Sequence, residues 1–149
     1  MEKNQRSGRN VRDVMTANPT CVSEKDTVRD AARIMAKQDT GVVPVVNGKK
    51  VVGMITDRDI VVRLIAEGKD ANSAKVVDAM SKQIKSIRED AGVDEALQLM
   101  SSSQVRRIPV VNASDELVGI VSMGDISKTD QDNKVGRAIE SISEAPPNK

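Results

Sequence analysis

The sequence predicts an α/β (α+β) fold made of two tandem β-α-β-β-α units. Three observations predict it: an internal repeat, an apolar helical stripe in each copy, and β-branched runs flanking turns. Sliding the 149-residue chain against itself brings the segment 11–15 (VRDVM) onto 76–80 (VVDAM), an offset of 65. Pro44 to Asn47 (PVVN) falls on Pro109 to Asn112 (PVVN), and after one added residue Val52-Gly53 falls on Val118-Gly119. The copies are read as 11–70 and 71–127, between an N-terminal tail at 1–10 and a C-terminal tail at 128–149.

Within each copy the elements follow in order. Asp13–Met15 and Asp78–Met80 read as short helical turns, followed by first strands at Thr20–Val22 and Lys85–Ile87. Val28, Ala31, Ala32 and Met35, and in the second copy Val93, Ala96, Leu97 and Met100, share the i, i+3, i+4, i+7 spacing of a helix with one buried face. Val42–Val46, Val51–Ile55, Ile108–Val111 and Leu117–Val121 are short and β-branched, so they read as strands. Asn47-Gly48 suits a tight hairpin turn, and the added residue lengthens its counterpart to Asn112–Glu116. Pro44 and Pro109 lack a ladder donor and point to edge or bulged positions. Ile60, Val61, Leu64 and Ile65 form the apolar face of a second helix that Gly68 ends, and 67–75 reads as a linker. In the tail, Val135–Ile142 suits a short helix before Pro146-Pro147.

Composition narrows the function. No apolar run approaches the length of a membrane span, and no apolar stretch follows the basic residues Lys3, Arg6 and Arg9, so a soluble, cytoplasmic protein without a membrane partner is expected. Cys21 is the single cysteine and reads as a small buried residue; an internal disulfide is impossible and a cysteine-based zinc site is not expected. The absence of histidine removes the commonest neutral-pH base and metal ligand, and with no nucleophile-histidine pair an enzyme is not expected. Without Phe, Tyr or Trp, and with a net charge of +1, the chain offers neither a stacking platform nor a broad phosphate field for nucleic acid.

The repeated frame carries a repeated motif: 53–59 (GMITDRD) and 119–125 (GIVSMGD) share Gly, two apolar residues, a hydroxyl residue, two variable residues and Asp. An ionised Asp can accept hydrogen bonds from two adjacent ribose hydroxyls while a Thr or Ser three residues earlier donates to a phosphate. The same spacing also reads as a helix capping box with Asp in place of Glu or Gln, and local pattern alone leaves both readings open. With the Met15-Thr16 and Met80-Ser81 entries and the apolar-Pro-Val-Val strands, the stretch Val11–Ile126 resembles a stand-alone tandem pair of CBS domains, a Bateman module of bacterial type.

That resemblance implies two repeats packed sheet to sheet with pseudo-twofold symmetry, leaving two clefts. Carried over by position, one cleft would join Ser122 and Asp125 to Thr16, Thr20, Thr40, Gly41 and Val42. The other would join Thr56 and Asp59 to Ser81, Lys85, Val105, Arg106 and Arg107, a more cationic set to which Arg58 adds. Adenine would rest between aliphatic side chains such as Val42, Met54, Val105 and Ile120.

The expected function is therefore a regulatory module that binds an adenosine-containing small molecule, AMP, ADP or ATP, with no required cofactor and no metal. With no catalytic or transport domain attached, its effector would be a separate protein. The competing reading is a ligand-free scaffold for dimerisation or protein interaction. A homodimer fits both, through apolar helix faces such as Ile60, Val61, Leu64 and Ile65.

Overall fold

The computed structural model describes residues 9–128, so the expected helix at Val135–Ile142 lies outside the described residues. The chain divides into two units, Thr20–Ile84 and, around the second motif, Met1–Pro19 with Lys85–Lys149. The sequence copies, 11–70 and 71–127, do not coincide with them, because each copy's entry segment lies in the unit of the other copy.

In the Thr20–Ile84 unit, β2 (Val22–Ser23), β3 (Val42–Asn47) and β4 (Lys50–Thr56) form one sheet. Helix α2 (Val28–Gln38) covers it with Val28, Ala31 and Met35 buried, while Ala32 is half-buried. A capping box starts α2: the Asp30 N–H donates to the Thr27 hydroxyl at 3.2 Å and the Thr27 N–H to the Asp30 carboxylate at 3.1 Å. The bond from the Thr27 backbone, helped by its hydroxyl, holds the Asp30 carboxyl below its ordinary range. After α3 (Asp57–Asp59) the chain continues as a π-helix, Ile60–Ile65, with i→i+5 bonds such as Ala66 N–H to the Val61 carbonyl at 2.8 Å. Gly68, at φ +73°, closes the segment as expected. The entry of the second copy, α4 (Val76–Ala79) and Ser81, joins this unit: Ser81 bridges Met54, its N–H donating to the Met54 carbonyl at 2.8 Å and its carbonyl accepting from Met54 N–H at 3.0 Å.

The other unit repeats the arrangement. Here α1 (Val11–Val14) and β1 (Thr16–Ala17) come from the first copy, and β1 pairs with β7 (Leu117–Ser122) in the order β1-β7-β6-β5, with β5 at Ile87–Arg88 and β6 at Arg107–Val111. Thr16 lies opposite Ile120 and Ala17 opposite Gly119. Helix α5 (Val93–Ser103) buries all four expected stripe residues, Val93, Ala96, Leu97 and Met100, and α6 (Met123–Ser127) adds Met123 and Ile126 to the same core.

Local corrections have physical causes. The first strands begin at Val22 and Ile87, not Thr20 and Lys85, because only Val22-Ser23 and Ile87-Arg88 reach the parallel neighbour. Pro44 and Pro109 are buried in central strands, yet each lies beyond its short parallel neighbour and next to a bulge, between Val45 and Val46 and between Val110 and Val111. Cys21 is half-buried rather than enclosed; burial, then Asp26, pushes its thiol up. Among the described residues no helix is long and apolar enough to cross a membrane.

Candidate functional site

Both motifs sit where a strand turns directly into a helix, and both form the capping box that their spacing allows. At the first, Asp59 N–H donates to the Thr56 hydroxyl at 3.0 Å while Thr56 N–H donates to the Asp59 carboxylate at 3.0 Å. At the second, Asp125 N–H donates to the Ser122 hydroxyl at 3.0 Å and Ser122 N–H to the Asp125 carboxylate at 2.9 Å. Capping uses Oδ2 of each Asp; the other oxygen of Asp125 is left for a further donor, while that of Asp59 already faces Ser81 and Arg63.

The surroundings of the two carboxylates differ. Asp59 is 8% exposed. The Ser81 hydroxyl lies 3.4 Å from each of its carboxylate oxygens, and Arg63 Nε stands 3.7 Å from Oδ1 while donating through Nη1 to the Met80 carbonyl at 3.1 Å. A cleft of about 570 Å³ opens beside them, lined by Arg63, Asp78, Met80, Ser81 and Lys82 among others. Asp125 is half-buried and, among the described residues, has no ion-pair partner.

The entry residues Thr16 and Ser81 lie in the units the sequence assigned them. Ser81 contacts Asp59, and Thr16 pairs on β7, the strand that ends in Ser122. Each strand edge pairs within its own copy. Val42 pairs with Thr56, Asp57 N–H donates to the Gly41 carbonyl at 2.9 Å, and the Thr40 hydroxyl donates to the Val42 carbonyl at 3.3 Å, so Thr40, Gly41 and Val42 stand beside Thr56 and Asp59. Arg107 pairs with Ser122, and Met123 N–H donates to the Arg106 carbonyl at 2.8 Å, which places Arg106 and Arg107 beside Ser122 and Asp125. Thr20 falls in the first-motif unit and Lys85 in the other. Val105 is half-buried against the core of Lys85's unit, with its N–H bonded to the Met100 carbonyl at 3.0 Å.

Only the entry segments cross between copies; every later strand pairs with its own copy's hairpin, so the arginines belong to the second motif's unit. Two residues were missed. Arg63 was legible as the i+4 partner of Asp59. Asp57 stood in a position read only as variable.

The family model for the CBS domain matches the chain twice, over residues 11–66 and 76–132. A relative from Bacillus subtilis (strain 168), the uncharacterized protein YlbB, is 45% identical over 137 residues, 90% of this chain and 91% of that one. The CBS domain pair of protein MJ0100, solved with 5′-methylthioadenosine and S-adenosyl-L-methionine, superposes with a TM-score of 0.69 at 29% identity, covering 80% of this chain and 94% of that one. The protein CBSX2, solved with AMP, gives a TM-score of 0.69 at 26% identity, covering 92% of this chain and all of that one (100%). Two matched copies, each with its strand hairpin, its hydroxyl-and-Asp turn and the other copy's entry strand beside it, place the chain in the CBS-domain family.

Proposed function

We propose that this protein is a regulatory module that binds an adenosine-containing nucleotide and reports its level to a separate effector protein in the cytoplasm. The observation that carries the reading is the junction of each motif with an entry strand: Ser81 against Asp59 in one unit and Thr16 on the strand ending in Ser122 in the other. Each junction gathers a carboxylate and hydroxyls on rigid backbone, the groups that a ribose and its 5′ arm require. The AMP complex of CBSX2 and the methylthioadenosine and S-adenosylmethionine complex of the MJ0100 pair support the ligand class. Regulation then follows from differential affinity: a nucleotide that binds one conformation better shifts the population that the effector meets.

Calorimetric titration with AMP, ADP and ATP tests this directly, with saturable binding in the micromolar to millimolar range as the expected result. Since the chain has no Trp or Tyr, nucleotide retained through purification shows as excess ultraviolet absorbance, and mass spectrometry of the released molecule identifies it. No saturable heat with any adenosine compound favours the ligand-free scaffold instead.

The same reading includes a homodimer. Along the π-helix only Leu64 is fully enclosed, while Val61, Val62 and Ile65 are 53%, 44% and 62% exposed, a contiguous apolar patch on one segment. Light scattering should give twice the 16.1 kDa chain mass. Ile65→Glu should return it to the monomer mass, because a carboxylate buried in an apolar contact lacks a partner. A wild-type monomer at tens of micromolar would remove the dimer from the proposal.

A further inference from the structure

We propose that two copies of the chain pair through the Thr20–Ile84 unit of each, π-helix Ile60–Ile65 against π-helix, so that the first motif and not the second stands beside the contact. The proposal rests on the homodimer reading and adds to it the surface that pairs and the motif that surface adjoins.

The repeat offers an internal comparison. With Asp59 aligned on Asp125, Val61 and Val62 fall on Ser127 and Lys128, and Leu64 and Ile65 on Asp130 and Gln131. Val61, Val62, Ser127 and Lys128 are all exposed, so one motif leads into two valines facing solvent where the other leads into a hydroxyl and an ammonium group. Beyond Val61, Val62 and Ile65, no large hydrophobic side chain is exposed among the described residues. A second copy therefore offers one apolar surface to this patch, which is the same patch. Self-complementary contact about a twofold axis is the form that closes a dimer, whereas setting the patch on Ser127 and Lys128 would bury an ammonium group against valine.

The charges along the segment fit that pairing. A twofold axis crossing near Val62 and Arg63 makes the two segments antiparallel. The Asp57-Arg58 end of one then lies against the Glu67 and Lys69 end of the other, and all four residues are exposed, with carboxylates opposite cations. The remaining charges of the segment are engaged within the unit: Asp70 accepts the Asn72 N–H at 2.9 Å, and Arg63 faces Asp59 at 3.7 Å.

The pairing segment also starts at the first motif. Asp59 immediately precedes it, and from within it Arg63 faces the Asp59 carboxylate and donates to the Met80 carbonyl at 3.1 Å. A ligand on Asp59 thus meets a residue of the segment that holds the dimer. The helix that contains Asp125 continues into Ser127 and Lys128, outside this contact.

Disulfide capture tests the arrangement on the full chain. Cys21→Ser removes the single native thiol. In that background Val62→Cys keeps a small apolar side chain in the patch, and next to the axis two such residues fall within the Cα separation of about 4.4–6.8 Å that a disulfide spans. Val61→Cys and Ile65→Cys sample the neighbouring positions. In a glutathione redox buffer at least one of these three variants should convert mostly to a covalent dimer, while Lys128→Cys should stay single-chain on a non-reducing gel. A mixture of the Val62→Cys and Lys128→Cys chains should give no product joining the two. Such a mixed product, or no covalent dimer at any of the three patch positions in a chain that scatters light as a dimer, overturns the pairing while leaving the homodimer in place. A wild-type monomer at tens of micromolar overturns the homodimer reading, and this inference with it.

Discussion

Gly53→Ala is expected to destabilise the protein by about 1–3 kcal/mol, the usual range for forcing extra volume into a packed site. A Cβ there would stand 2.6 Å from the Ser81 carbonyl oxygen and 2.9 Å from the Met80 sulfur. The Ser81 oxygen cannot yield cheaply, since it accepts the Met54 N–H at 3.0 Å in the bridge that docks the second copy's entry segment. Gly119→Ala meets the matching segment of the first copy differently: its nearest atom is the Met15 sulfur, the far end of a flexible side chain, and the Thr16 carbonyl lies at 3.0 Å. Gly119→Ala should therefore cost less. Urea denaturation checks the order through the transition midpoints. A loss at Gly119 equal to or larger than that at Gly53 would contradict the backbone-contact account. Pushing Ser81 away also removes its hydroxyl from Asp59, so Gly53→Ala should weaken any ligand of the first motif as well.

This contact explains a motif glycine that sequence alone leaves unexplained. The repeat shows that Gly53 and Gly119 correspond, but not what approaches them. The entry segments, 11–15 and 76–80, are nearly the same sequence, so either could dock on either hairpin without breaking any local pattern. The exchange of entry segments between units was therefore legible only through the family resemblance, which set Thr16 with Ser122 and Asp125 and Ser81 with Thr56 and Asp59, whereas the helices α2 and α5 were legible from the residues themselves, because a 3.6-residue apolar period admits one buried face. The strand registers fall between these cases. Counting back from the Asn47–Lys50 pair would set Val42 opposite Ile55; the bulge after Val45 shifts it to Thr56. Pro44 hinted at the bulge, but a one-residue slip reverses which side chains share a face, and without that shift neither Val42 nor Arg107 falls beside its motif's hydroxyl residue. The second helix was legible as an apolar segment with surface to spare, but not as a π-helix. Its spacing gives an apolar face but not the i→i+5 winding, which turns Leu64 inward and leaves Val61 and Ile65 outside.

Asp125→Asn is expected to lower AMP affinity by about ten- to hundredfold, equivalent to about 1.5–3 kcal/mol of charge-assisted hydrogen bonding. The substitution separates the two roles that the motif's spacing permits. Asn keeps a side-chain oxygen able to accept the Ser122 N–H, now bonded at 2.9 Å, so the cap that begins α6 should weaken only modestly. What disappears is the charge that would bind the ribose hydroxyls. A large affinity loss with a nearly unchanged denaturation midpoint in the absence of ligand therefore identifies ribose recognition, and an unchanged affinity with a lowered midpoint identifies capping alone. Asp59→Asn makes a less clean version of the same experiment. Asp59 is enclosed and already faces Ser81 and Arg63, so losing its charge also disturbs contacts that exist before any ligand arrives. The Arg63 pair adds little of this, because its guanidinium side is largely in solvent. Loss of AMP binding in Asp59→Asn but not in Asp125→Asn would assign the nucleotide to the first motif.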